Sequence, residues 1–373
     1  MERFSRHQKK LMFLVGSGAL SIIFLVIGGY KLIEFSDSTQ FCGTLCHNVM
    51  HPEYTAYQAS PHSRVLCSDC HVGPGASYLV KSKINGVPMI WATLTGNFDR
   101  PIPVPVKNLR PARETCEQCH RPEKFTGDVI QIHTTYLTDE LNTPQVDSRV
   151  IRIGAGASNA ASGIHWHVAA KVWYLPLDEK RQEIGWVGIQ GPDGQYVTEY
   201  TEPLKASTIT PAQIEKDKRQ MDCIDCHNRA THIFQTPEQL IDSAILEKRI
   251  DSGLPFIKRE GARALYPVNT SLEAAYSKID SLADFYQKSY PRLYSEKKPL
   301  LDQAIVELKN VARLTTFTEM KVNWASYDNN IGHQNFAGCF RCHGKLVDSK
   351  GGQVGKTLDV SCDLCHYLTN PNK

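Results

Sequence analysis

Residues 67–71 read Cys-Ser-Asp-Cys-His, and the reading of this short stretch decides the fold. The same C-x-x-C-H pattern returns at Cys116, Cys119 and His120, at Cys223, Cys226 and His227, at Cys339, Cys342 and His343, and at Cys362, Cys365 and His366. A sixth copy is one residue longer: Gly43, Thr44 and Leu45 separate Cys42 from Cys46, and His47 follows. The chain has 12 Cys, and the six motifs use all of them. A lone C-x-x-C-H is open to reading as a zinc half-site or a redox dithiol. A series in which every second cysteine is followed by His fits neither, and a disulfide framework gives no reason for the His. Covalent haem attachment does: two thiols add to the two vinyl groups of one haem, and the adjacent His reaches the iron from the same side. Six covalently bound haem c groups are expected.

Low-spin, electron-carrying haem takes a second axial ligand, so the remaining histidines matter. Of 14 His, six belong to the motifs. His7 lies in the N-terminal tail, and His51 reads as a surface or interface residue. The distal candidates are His62, His133, His165, His167, His232 and His333. In G-I-H-W-H-V, residues 163–168, an extended backbone would put His165 and His167 on one face. One of them is then expected to bind iron and the other to contact a propionate.

Residues 11–33 are expected to form a transmembrane helix. Positions 11–30 hold no charge, and twenty such residues cross a hydrocarbon core of ~30 Å. The tail before it carries Arg3, Arg6, Lys9 and Lys10 against Glu2. By the positive-inside rule that tail, residues 1–10, stays cytoplasmic and the bulk of the chain emerges on the periplasmic side of the inner membrane. A cleaved signal peptide is the competing reading, but no A-x-A-like site follows the apolar run. The tail also accounts for the formal net charge of +3, so the outer part is balanced and each haem adds two propionates. With no basic stripe, nucleic-acid binding is not expected.

The outer part divides at the cysteine spacing: a three-haem region over 34–127, then an extended region over 128–373 with three further haems. In the Cys-free stretch before Cys223, G-W-V-G-I-Q-G-P-D-G-Q-Y-V-T-E-Y, residues 185–200, reads as a β-hairpin around Pro192, Asp193 and Gly194. Residues 236–251 open with Thr236, Pro237 and Gln239 in the pattern of a capped helix start. Residues 270–290 and 299–314 carry apolar side chains at helical spacing. These helices read as bracing, with no chemistry on them. The expected fold is a multihaem cytochrome c, mainly α with much irregular structure, a small β-hairpin region and one membrane helix.

The N-terminal third resembles the NapC/NirT family of membrane-anchored multihaem cytochromes, which includes the small subunit of periplasmic nitrite reductase. The resemblance rests on the single anchor, the atypical motif after it, Y-Q-A-S-P-H-S-R-V-L-C-S-D-C-H-V-G-P-G-A-S-Y-L-V-K-S-K-I-N-G at 57–86, and R-P-I-P-V-P-V-K-N-L-R-P-A-R-E-T-C-E-Q-C-H at 100–120. It covers roughly residues 10 to 125. It implies oxidation of menaquinol or another quinol from the membrane quinone pool, and passage of electrons to a periplasmic cytochrome or reductase, in a stable complex or not. It further implies that a Met shortly after the first motif binds the first iron, where Met50 is the candidate and His47 the alternative. Here the motif is one residue longer, and Met50 stands three residues after His47 rather than two. Met ligation raises a haem's potential relative to bis-His ligation, which suits an entry haem. The quinol site is expected in Y-L-V-K-S-K-I-N-G, with Lys81, Lys83 and Asn85 as candidates and Lys81 preferred. Two other readings compete: a relay subunit of a larger respiratory complex without its own quinol site, and a terminal multihaem reductase with one open iron.

Overall fold

The computed structural model describes residues 5–45, 47–106, 110–121, 124, 127–154, 163–268 and 271–368. Helix α1 (Arg6–Ser36) opens with a capping box in which Ser5 and Gln8 bond each other's backbone N–H groups. Its 31 residues rise about 46 Å at 1.5 Å each, so it outreaches a ~30 Å hydrocarbon core at its ends. None of its side chains is buried against the rest of the protein. A π-helical turn (Phe41–Leu45) follows, then α2 (His47–Gln58), α3 (Cys67–His71), α4 (Ala76–Thr95) and α5 (Ala112–Cys116).

Strands β1 (Val129–Tyr136) and β2 (Pro144–Ile151) come next, and the single turn α6 (Trp166–Ala169) leads into β3 (Lys171–Pro176), β4 (Ile184–Gln190) and β5 (Tyr196–Thr201). Helix α7 (Pro211–Asp217) and strand β6 (Arg219–Gln220) bring the chain to α8 (Cys223–Cys226). Six helices follow: α9 (Pro237–Leu246), α10 (Ile257–Leu265), α11 (Leu272–Asp280), α12 (Leu282–Ser289), α13 (Pro291–Glu296) and α14 (Lys298–Thr315). A short pair, β7 (Thr316–Phe317) and β8 (Val322–Asn323), closes this part, and β9 (Val347–Lys350) and β10 (His366–Leu368) lie at the end of the chain.

There is more β structure than the one expected hairpin. That hairpin is present as β4–β5, its turn closed by the Gly191 N–H donating to the Gln195 carbonyl at 2.8 Å. It belongs to an antiparallel sheet in the order β6-β3-β4-β5-β9. A second antiparallel sheet runs β1-β2-β10. Its strands gave little sequence signal because β1 and most of β2 stay accessible, so apolar and polar residues do not alternate. The sheets matter for position. β9 runs between the fifth and sixth motifs, and β10 begins at His366, the last motif histidine.

The helical expectations hold with two changes, the first being that α9 stops at Leu246, short of residue 251, with Lys248 just beyond it at a positive φ. Thr236 and Gln239 form the capping box of α9. The 270–290 segment is two helices, because Ser281 ends α11 and begins α12. These helices enclose the main core: Ile241, Ile257, Ile279, Tyr286, Leu301 and Leu308 are fully buried in it. Each contributes about 1.5–3 kcal/mol by leaving water. α10 and α14 approach closely at Gly261, where a Cβ would press on Leu308. One ion pair is sealed inside: Lys258 Nζ lies 2.7 Å from Asp242, and the Lys258 ammonium also donates to the Tyr136 carbonyl. Among the described residues, no motif cysteine and no histidine enters this core.

Candidate functional site

The extra residue of the first motif falls in the π-turn. A π-turn closes its hydrogen bond one residue later than an α-turn, which accommodates a longer spacing. Gly43 is buried in that turn against the Tyr54 ring, where any Cβ would overlap it. Cys46 and the His47 side chain lie outside the described residues; Met50 is half-buried on α2, three residues beyond His47. His51 is exposed and packs edge-on against Phe317, with ring centroids 5.4 Å apart.

At the other five motifs the histidines come in facing pairs. His71 faces His232 with ring centroids 6.4 Å apart, and His120 faces His62 at 5.9 Å. His227 faces His165 at 6.4 Å, His343 faces His167 at 6.0 Å, and His366 faces His333 at 6.2 Å. With metal–nitrogen bonds of about 2 Å, two imidazoles on opposite sides of one iron have centroids about 6 Å apart. Each pair therefore has the span of a bis-His haem iron, and each joins one motif histidine to one distal candidate. His133 takes no part in these five pairs; it is exposed on β1, opposite Asp147. The His165–His167 segment is not extended as expected. His165 caps a helical turn that contains His167, so the two rings diverge and face different motifs.

Several rings are held in the tautomer an iron ligand requires. His232 Nδ1 meets the Glu53 carbonyl at 3.0 Å, His167 Nδ1 the Ile164 carbonyl at 2.9 Å, and His343 Nδ1 the Asp359 carbonyl at 2.5 Å. A proton held at Nδ1 leaves Nε2 as the donor atom. Burial pushes His71, His232 and His167 below the usual imidazole range, which keeps them neutral. Glu53 does more than accept from His232. Its carboxylate lies 3.0 Å from the Arg229 guanidinium, which also lies over the rings of Phe234 and Tyr327. Reading the sequence did not single out Glu53, since nothing local to E-Y-T-A marks it.

The donor set fits haem c in a second respect. The Arg110 side chain is buried, with Nε and Nη1 lacking a hydrogen-bond partner, and it lies near the Cys70 thiol, whose pKa burial pushes up and the guanidinium only partly offsets. Two inward N–H groups beside an attachment cysteine suit a propionate. Among the described residues the cysteines form no disulfide.

The motifs follow one another in space in chain order. Cys42 lies beside Cys67, Cys70 near Cys116, and Cys116 beside Cys223. Cys226 lies near Cys339, and Cys339 near Cys365. Helix α5 packs on both α3 and α8. The distal histidines interlace this series. His62 precedes the second motif but faces the third, His232 follows the fourth but faces the second, and His333 precedes the fifth but faces the sixth. The His71–His232 pair thereby joins the 34–127 region to the 128–373 region.

The lysines of Y-L-V-K-S-K-I-N-G separate. Lys81 and Asn85 are exposed, whereas Lys83 turns to the C-terminal end of α1, donating to Ser36 Oγ at 2.8 Å and to the carboxylate of Asp37. Both Lys83 and Asp37 bear electrostatically on the Cys42 thiol. Asp37 was not anticipated; Glu34 is the acidic residue nearer the apolar run, and nothing in E-F-S-D singles Asp37 out.

The NapC/NirT cytochrome c family, N-terminal region, matches residues 4–109. The chain is also 41% identical over 367 residues to cytochrome c-type protein ImcH of Geobacter sulfurreducens, covering 97% of this chain and 71% of that protein. No solved structure matches the chain.

Proposed function

Because this chain belongs to the NapC/NirT cytochrome c family, we propose that it is a hexahaem relay that oxidises a membrane quinol and delivers electrons to a periplasmic cytochrome or reductase. The observation that carries this reading is the linear order of the motifs, starting at Cys42 beside the outer end of α1. Haem c bound at the six motifs supplies the one-electron chemistry. The protein supplies attachment through Cys42, Cys46, Cys67, Cys70, Cys116, Cys119, Cys223, Cys226, Cys339, Cys342, Cys362 and Cys365. Proximal ligation falls to the motif histidines, with Met50 in place of His47 at the first site. Distal ligation of the other five falls to His232, His62, His165, His167 and His333, in motif order.

Quinol oxidation to quinone releases two electrons and two protons. The electrons leave one at a time along the series that begins at Cys42. The protons need an acceptor at the membrane boundary, and the Asp37–Lys83 pair is placed for it. When quinol displaces the ammonium, the carboxylate takes one proton with each electron that leaves and passes it to water before the next, and the ammonium holds the quinol oxygen. Lys83, not the exposed Lys81, fills the role expected of this stretch. The bis-His span of five pairs favours a relay over a terminal reductase, which needs an open iron.

The test is reduction of the oxidised protein, in lipid, by a menaquinol analogue, followed by visible absorbance. Fast, inhibitor-sensitive reduction is expected, and Lys83→Ala should slow it at least tenfold if the pair contributes ~1.4 kcal/mol or more to the transition state. Dithionite should still reduce every haem of the variant. Absence of quinol reduction in the unmodified protein, with dithionite effective, would leave a relay fed by another subunit.

A further inference from the structure

Helix α4 is inside out. Val80, Ile84, Val87, Trp91 and Leu94 recur at helical spacing and are 57–77% exposed. Met89 and Ile90 are exposed beside them. The half-buried positions of the same helix hold mostly small or polar residues: Ser82, Lys83, Gly86, Ala92 and Thr93. A helix on an aqueous surface shows the opposite arrangement. The first half of α4 is tied to the protein, with Tyr78 under Arg110 and Lys83 bonded to Ser36 and Asp37. The chain returns to the body at Phe98, which packs against the cluster of Phe317, Met320, Val322 and Tyr327.

We propose that residues 84–95 of α4 lie in the outer interface of the bilayer beside α1, so that the protein meets the membrane through two segments. Three observations select lipid as the occupant. Lys83 fixes the start of this stretch to the last residue and the cap of α1, where a spanning helix leaves the membrane. Residues 84–98 carry no Asp, Glu, Lys or Arg, a run too short to span but of the length that lies within an interface. Trp91 and the preceding lysines give the aromatic and cationic pattern of a headgroup boundary. The inference needs α1 to cross a bilayer; it does not depend on quinol as donor.

The experiment uses the oxidised full-length protein, without quinol, in phosphatidylethanolamine–phosphatidylglycerol vesicles doped with a phospholipid bearing a diazirine on its acyl chain. After illumination and proteolysis, lipid adducts are expected on peptides spanning 84–95 as well as on α1. In the double variant Val87→Lys, Trp91→Lys the 84–95 adducts should be lost, while the α1 adducts and the haem absorbance persist. Leu94→Gln, a milder change, should reduce them if the double variant does not accumulate. Adducts confined to α1 would overturn the proposal. Cross-links from this face to a second copy of the chain would also overturn it, making the face a dimer contact.

Discussion

The helices α9–α14 and the motif-bearing segments hold their shape by different means. The helical unit buries 17 side chains in one contiguous core, and seals the Lys258–Asp242 pair within it. The motif segments bury little of their own apolar surface: Leu45, Leu66, Phe340 and Leu364 are 39–66% exposed. Their order comes instead from polar anchoring of rings, as at Glu53, Ile164 and Asp359, and from helices of one or two turns. In the proposed reading the apolar mass of these segments is the cofactor itself. One chain thus combines a unit stabilised by side-chain packing with a unit stabilised by ligation.

The largest effect should come from unpairing the charge inside the helical unit. Asp242→Ala leaves the Lys258 ammonium buried without its carboxylate, at a cost of about 3–5 kcal/mol. Leu308→Ala, which opens a cavity under Gly261, should cost a similar amount, about 2–5 kcal/mol. Both are read as a lower denaturation midpoint by far-ultraviolet circular dichroism at wavelengths reporting helix. The haem absorbance of the folded protein should not change. A shifted haem spectrum in either variant would show that the two units are not separate in the way the packing implies.

The matched change in the other unit is Glu53→Ala, which removes the partner of Arg229 and a carboxylate 3.3 Å from His232 Nδ1 but keeps the backbone carbonyl that meets the same nitrogen. Support of this kind behind a metal ligand is worth roughly 10–100-fold in ligand affinity. The expected signature is local: the His71–His232 haem alters its potential or gains high-spin character, while the helical midpoint moves less than in Asp242→Ala. An equal midpoint shift in both variants would break the comparison.

What the sequence disclosed follows the same division. Haem attachment was legible because its chemistry is covalent and local, fixed by Cys-x-x-Cys-His within five residues. The caps of α9 and the hairpin at Gly191–Gln195 were legible for the same reason. The pairing of distal histidines was not, because each faces a motif far away in the chain: His62 faces His120, and His232 faces His71. His165 and His167 misled because alternation on a strand was assumed where a helical turn occurs. Lys83 stood among the candidates, but its pairing with Asp37 needed the structure, since 46 residues separate them.

Acid should discriminate the units next. Burial depresses the pKa of His71, His232 and His167 below the ordinary value of 6.5. A base whose folded pKa is lowered binds fewer protons when folded than when unfolded. The stability it contributes is present above pH 6.5 and is lost as pH falls below it toward the folded values. Iron ligation moves the same equilibrium further in that direction. Titration from pH 7 downward should therefore convert haem absorbance to a high-spin form before far-ultraviolet helicity falls. Simultaneous loss of both signals would mean that the helical unit depends on the ligated one.

The smallest effect is expected at His133. It is exposed on β1 and stands outside the five facing pairs, so His133→Ala should leave every low-spin haem signal in place. His333→Ala should behave differently, because His333 faces His366 at 6.2 Å: one haem in six should turn high-spin and bind added cyanide. The ring planes offer a finer reading. The His165–His227 and His333–His366 rings lie 26° and 18° from parallel, whereas His62–His120 and His167–His343 lie at 75° and 72°. Near-parallel and near-perpendicular axial imidazoles split the iron d orbitals differently, so electron paramagnetic resonance should show two classes of low-spin signal. His333→Ala should remove a signal of the near-parallel class and His62→Ala one of the near-perpendicular class, while His133→Ala removes neither. Loss of any low-spin signal in His133→Ala would place that histidine on an iron and require one of the five pairs to be redrawn.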